Sequence, residues 1–361
     1  VRIPALAAAL VALAGCGSGA GERRTTRVAA PPLTPEQVAG QHVVFPFAGR
    51  TPPRALLRRI RRGEAAGVIF LGANLGTAAQ VRALTRTLRA ARPPRGLAAP
   101  LLLMVDQEGG TVKRLPGAPS RGAPAIAATG DAAVARAEGR ATAATLRAAG
   151  MNVDLAPVVD VVRPEGALHT EGRGFGFTAG AAARFGAAFA RGLRAGGVAA
   201  TAKHFPGFGA AVVNTDERAV RIDVPLRELR TVDRPPFRAA TGPGGAQLVM
   251  LSSAVYPALA PGPAVLSPRV VQGELRDGVG FDGVTISDDL EAPAFADYGG
   301  ASGAAVRATR AGVDLLLFAR TYAGADRAAR ALAAAVRKGR VDRRELERSR
   351  ERVVALRESV G

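Results

Sequence analysis

The chain has 361 residues, with 49 Lys plus Arg against 30 Asp plus Glu, a formal net charge of +19 and an aromatic share of 4%. An excess this large would suit a nucleic-acid binder, but it is spread as single arginines over helix-like segments, with lysine only at 113, 203 and 338 and few rings between, which argues against nucleic acid as a partner. A single cysteine, Cys16, excludes both a disulfide framework and a CxxC metal site.

Arg2 precedes a mostly apolar run from Ile3 to Leu13, and Leu13-Ala14-Gly15-Cys16 then leads into a polar, glycine-rich stretch. The run is too short to span a bilayer and has the layout of a secretory signal. Its ending resembles a bacterial lipobox, which implies residues 1–15 as a cleaved signal peptide and Cys16 as a lipidated first residue; a buried thiol following an apolar helix is the plainer alternative. Residues 16–32 are mostly Gly, Ser, Arg, Thr, Ala and Pro without apolar period, as expected of a disordered tether. The expectation is a secreted protein, anchored by lipid to the outer face of a bacterial cell membrane. There its positive charge would be drawn to anionic headgroups or wall polymers.

From residue 33 onward, Thr34-Pro35-Glu36 offers an N-cap and a proline at N1 to open the first helix. Short apolar, often β-branched runs then recur near Val43–Phe47, Gly67–Leu71, Leu101–Val105, Val153–Leu155, Val198–Ala202, Gln247–Ser252, Gly283–Ser287 and Asp314–Phe318, separated by stretches with helical spacing. Eight buried strands alternating with helices predict an α/β fold, a (β/α)8 TIM barrel in a single domain spanning 33–361; an open, doubly wound sheet is the alternative. Asp342 is placed to cap the last helix, with apolar positions at Leu346, Val353, Val354 and Leu356. About seventy residues follow Asp288, room for one more βα unit and a closing helix but not for a second domain. Several runs end in polar residues, namely Asn74, Asp106, Lys203-His204, Ser253 and Asp288, which a barrel would gather at one mouth.

Lys203-His204-Phe205-Pro206-Gly207-Phe208-Gly209 puts a cation and an imidazole at the end of one apolar run, and Ile286-Ser287-Asp288-Asp289-Leu290 puts a carboxylate at the end of another. With Val105-Asp106-Gln107-Glu108-Gly109-Gly110, these segments make the chain resemble glycoside hydrolase family 3, specifically its single-domain, NagZ-type β-N-acetylglucosaminidases, from roughly Leu33 to the C-terminus. The resemblance implies an exo-acting, retaining glycosidase whose mechanism requires no cofactor, and no metal-binding residue is singled out. It also implies Asp288 as the nucleophile and a sugar held by Asp106, Arg114, Arg173, Lys203 and His204; strand alternation, if it holds to this point, turns the adjacent Asp289 away. The glycan expected is one ending in β-linked N-acetylglucosamine, such as a peptidoglycan fragment.

Retention needs a second carboxyl or equivalent acid to protonate the leaving oxygen. Where NagZ-type relatives carry an Asp-Ser-His triplet this chain has Asn214-Thr215-Asp216, and Phe208 replaces a second histidine of the motif. Asp216 is the first candidate for the acid, since a carboxyl near Asp288 in a partly dry site is held protonated by like charge and desolvation. Glu217 and His169 are the substitutes. If Asp216 stays ionised, the chain is a slow enzyme or a sugar-binding lipoprotein on the same barrel; if the acetamido pocket has closed, a β-glucosidase-like activity follows.

Overall fold

The computed structural model describes Val1 and residues 32–361; the segment 2–31, with the expected signal peptide, Cys16 and tether, lies outside the described residues. Leu33–Gly361 forms one compact unit. It opens with the helix Pro35–Gly40, closed by a reciprocal box: the Thr34 hydroxyl accepts from the Gln37 amide at 3.1 Å, and the Gln37 side chain accepts from the Thr34 amide at 3.0 Å. Asp342 caps the last helix, Arg343–Ser359, in one direction only, its side chain accepting from the Glu345 amide at 2.9 Å.

Eight parallel strands follow one another around a ring: β1 Val43–Phe45, β2 Gly67–Phe70, β3 Leu102–Val105, β4 Val153–Asp154, β5 Ala199–Phe205, β6 Leu248–Leu251, β7 Val284–Ser287 and β8 Leu316–Leu317. β8 pairs back onto β1, with Val43 opposite Leu316, and a bridge between Ile286 and Leu315 joins β7 to β8. The sheet is therefore a closed barrel and not the open, doubly wound alternative. All eight expected runs became strands, because a strand buried on both faces has to be apolar throughout.

Side-chain alternation divides the core in two. Val44, Ile69, Met104, Leu248, Ile286 and Leu317 belong to an interior cluster, while Phe45, Phe70, Val105, Ala202, Leu251 and Phe318 pack outward against the helices. The final helix adds Val353 and Leu356 to the interior cluster, so it stoppers the end of the barrel where the strands begin. Its Arg357, 1% exposed, donates from Nε to the Pro100 carbonyl at 2.7 Å and from Nη1 to the Gln41 side chain at 2.5 Å. Val354, expected on the apolar face, is only half-buried. In the outer layer, Ala132–Ala148 and Ala179–Ala195 come so close that a Cβ on Gly139 would lie 2.2 Å from the Phe189 carbonyl, which explains glycine in mid-helix there. With one end stoppered, only the ends where the strands finish remain open to a ligand.

Candidate active site

Asp106, Arg114, Arg173, Lys203, His204, Asp216 and Asp288 all line one cavity of about 240 Å³ at the C-terminal ends of the strands. Leu155, Met250 and Leu317, the top of the interior cluster, give it an apolar floor. Asn74 and Ser253, two further strand-end residues, do not line it. Asn74 is spent on structure: its oxygen accepts from the Leu71 amide at 2.8 Å and its nitrogen donates to the carbonyls of Phe47 and Gly49 at 2.8 and 2.7 Å. Ser253 is simply buried.

One wall is a chain of alternating charges. Lys203 on β5 lies 2.7 Å from Asp106 and 2.8 Å from Glu108, which follow β3. Glu108 is gripped in parallel by Arg173, Nε to Oε2 and Nη2 to Oε1, both at 2.8 Å, and Nη1 of Arg173 reaches Glu171 at 2.8 Å. Burial alone would raise the Glu108 carboxyl, but the Lys203 and Arg173 charges and their hydrogen bonds override it and hold it at about 2. Burial would likewise lower Lys203, and the Asp106 and Glu108 carboxylates reverse that, so its pKa lies above the usual lysine range. Glu108, Lys203 and Arg173 are thus charged at neutral pH, and the wall is fixed before a ligand arrives. Arg114 sits exposed at the rim, its amide anchored by the Gln107 side chain at 2.9 Å.

His204 is oriented from behind by Asp160. That fully buried carboxylate accepts from the His204 amide at 2.9 Å and the Phe208 amide at 2.7 Å, and lies 2.8 Å from His204 Nδ1. Nε2 is then the ring nitrogen available to a ligand. The Phe208 ring, which stands where the motif usually has a second histidine, lines the cavity with its centroid 5.4 Å from that of His204. Asp160 was not singled out from sequence, although a carboxylate inside Val158-Val159-Asp160-Val161-Val162 is a charge that a buried run tolerates only with partners. Glu108 and Glu171 were missed as well, since their partners are distant in sequence.

Opposite this wall stand the two carboxyls in question. Asp288 accepts one bond, from the Asp289 amide at 2.8 Å, and among the described residues no cation pairs with it. Asp289 does turn away, accepting from the amides of Glu291 and Ala319, each at 3.0 Å, and pairing with Arg320 at 2.9 Å. Asp216 sits on a turn built by Asn214, whose side-chain oxygen accepts from the Asp216 amide at 3.1 Å. Withdrawal from water, then the like charges of Asp288 and Asp289, push its carboxyl up to about 6 against the opposing pull of Arg320. Its side chain is 62% exposed at the cavity mouth. The substitutes are displaced: Glu217 is exposed and off the cavity, and His169 stacks edge-on against exposed Phe177 with centroids 5.2 Å apart.

The family model described as the glycosyl hydrolase family 3 N terminal domain matches residues 43–356. An uncharacterized secreted glycosyl hydrolase of Arthroderma benhamiae is 38% identical over 326 residues, 88% of this chain and 92% of that protein. A β-hexosaminidase of Stenotrophomonas maltophilia is 38% identical over 268 residues, 72% and 77% of the two. Of solved structures, the family 3 β-N-acetylglucosaminidase of Paenibacillus sp. superposes with a TM-score of 0.85 at 35% identity over 91% of this chain, which spans only 63% of that longer one. The β-N-acetylhexosaminidase of Beutenbergia cavernae gives 0.81 at 32% identity, covering 90% of this chain and 99% of its own.

Proposed function

Because the chain belongs to glycosyl hydrolase family 3 and is a glycosidase by that membership, we propose that it is an exo-acting, retaining β-N-acetylhexosaminidase releasing terminal β-linked N-acetylglucosamine from cell-wall or related glycans. The observation that carries this reading is the pairing, in one cavity, of a carboxylate with no cation partner among the described residues, Asp288, with a carboxyl raised to about 6, Asp216. Asp288 attacks the anomeric carbon as the glycosidic C–O bond breaks, and Asp216 passes its proton to the departing oxygen. Once Asp288 is esterified its charge is gone, the repulsion on Asp216 falls, and the newly formed carboxylate removes a proton from the water that releases the sugar. A cavity of about 240 Å³ has the scale of one sugar residue, which supports exo action. The prearranged Asp106, Lys203, Arg173 and His204 groups suit hydroxyl and acetamido oxygens and hydrogens.

The test is turnover of aryl β-N-acetylglucosaminide against aryl β-glucoside by the soluble domain, with Asp288→Asn as control. Preference for the first supports the reading; preference for the second makes the protein β-glucosidase-like, and sugar binding without turnover of either leaves a sugar-binding lipoprotein.

For location, Leu13-Ala14-Gly15-Cys16 supports a lipid anchor on Cys16 that holds the secreted domain at the outer face of the bacterial membrane. Among the described residues no helix is long and apolar enough to cross a membrane. Cys16→Ala is then expected to move the protein out of the membrane fraction, because an apolar segment this short does not retain it alone. Unchanged detergent partitioning would refute the anchor.

A further inference from the structure

The loop that carries Asp216 is held differently on its two sides. Toward β4 it is tied by the Ala167 amide, which donates to the Ala211 carbonyl at 2.7 Å, and by Asn214, which donates to Glu171 at 3.4 Å. Toward β7 and β8, where Asp288 lies, residues 212–217 make a single hydrogen bond among the described residues. Nη2 of Arg320 donates to the Asp216 carbonyl at 2.9 Å and stands 3.9 Å from its carboxyl.

Arg320 itself is mounted rigidly. Its Nε grips Asp289 at 2.9 Å, next to Asp288; its own amide donates to Glu291 at 3.1 Å, and the following Thr321 amide to the same carboxylate at 2.9 Å. One planar guanidinium therefore spans from the residue beside Asp288 to the backbone of Asp216. A fork of this kind serves two partners at fixed angles, as an ammonium does not.

We propose that Arg320 is a positioning residue, a latch that holds the Asp216 loop over Asp288 and supplies the positive charge that keeps Asp216 able to alternate between acid and base. The proposal deepens the glycosidase reading above and takes from it that Asp216 handles the proton. Nothing local to positions 203–216 marks this role, since the latch comes from the far end of the chain.

The physical case has two parts. A displacement of about 1 Å in a catalytic group can cost on the order of 10²-fold in rate, so a loop tied on one side only is a poor mount for an acid. The charges that act most strongly on Asp216 are those of Asp288 and Asp289 after β7, Arg320 after β8 and Asp106 after β3, while Glu171 reaches its loop through Asn214 and Arg114, Arg173, Lys203 and His204 line the same cavity. Among the described residues Arg320 is the cation that pairs with Asp216. Without it Asp216 would stay protonated to higher pH and serve worse as the base of the second step. The ion pair itself is partly exposed and contributes little stability, so its loss should be felt in placement and proton affinity more than in folding.

The experiment compares wild type, Arg320→Met and Arg320→Lys in the soluble domain by two independent readouts. The first is amide hydrogen exchange of residues 212–218 followed by mass spectrometry, which needs no turnover. Arg320→Met should exchange there at least threefold faster, with the rest of the barrel unchanged. The second is the pH profile of kcat/KM on a substrate with a poor leaving group. Arg320→Met should lose at least tenfold near its optimum and carry its alkaline limb to higher pH, while Arg320→Lys restores the limb but not the slow exchange. Unchanged exchange in Arg320→Met overturns the latch, and an unmoved limb overturns its electrostatic half. If wild type turned over nothing, or Asp288→Asn kept activity, the glycosidase reading would fall while the exchange result still decided whether Arg320 holds the loop.

Discussion

At the stoppered end of the barrel Asp314 is fully buried and all its capacity is taken: Oδ1 accepts from Nε and Nη2 of Arg352 at 3.1 and 2.8 Å, and Oδ2 from Nη2 of Arg276 at 2.7 Å and from the Thr285 amide and hydroxyl at 2.8 and 3.0 Å. At the open end Asp288 accepts one amide and faces a cavity in place of a cation. The same side chain is structural in one setting and available for reaction in the other. What separates them is how many partners the fold supplies and how many it leaves for a ligand.

The sharpest way to break this contrast is at the open end. Asp288→Asn keeps size and hydrogen bonding but removes the attacking charge, so kcat should fall by about 10³-fold or more while the thermal midpoint holds. Labelling of a different residue by a mechanism-based fluorosugar would show that the nucleophile lies elsewhere. Next comes Asp216→Ala, expected to lower kcat/KM about 10²-fold on substrates with poor leaving groups and hardly at all on dinitrophenyl glycosides, whose leaving oxygen needs no proton. Since the protonated form is the acid, wild-type kcat/KM should decline as pH rises through about 6, and that limb should vanish in the mutant. Equal losses on both substrates would make the loop carboxylate merely structural.

At the stoppered end the expectation inverts. Asp314→Ala takes the carboxylate partner from Arg276 and leaves Arg352 only Glu345, at 3.1 Å, a loss of about 3–5 kcal/mol in stability by chemical denaturation with the turnover of the folded fraction intact. A mutant as stable as wild type would show that solvent reaches those arginines.

Glu108 lies between the extremes, belonging to the open end but fully paired. Its folded pKa of about 2 is depressed below the ordinary 4.5, so its contribution is present above pH 4.5 and is lost as pH falls toward 2. Stability should decline over that window by about 3 kcal/mol, and Glu108→Gln should flatten the decline. An identical acid limb in the mutant would place the titrating group elsewhere.

Much of the barrel was legible in the chain because its causes are local. A strand buried on both faces must be apolar along its length, and Thr34 and Asp342 cap helices through amides three residues away. The motif segments also brought forward seven side chains that the fold gathers in one cavity. What the sequence left open was partnership across distance. Lys203 meets Asp106 over 97 positions, Arg173 meets Glu108 over 65, and Arg320 meets Asp216 over 104. In a chain so rich in arginine no local pattern distinguishes Arg320 or the buried Arg357 from a solvated one. Nor does Asn-Thr-Asp by itself say whether its carboxyl caps a turn; Asn214 does that, freeing Asp216 for the cavity. Apolar period and capping chemistry, being short-range, were set by the residues alone, whereas which charges are paired and which stay free is decided only when strand ends far apart in sequence converge.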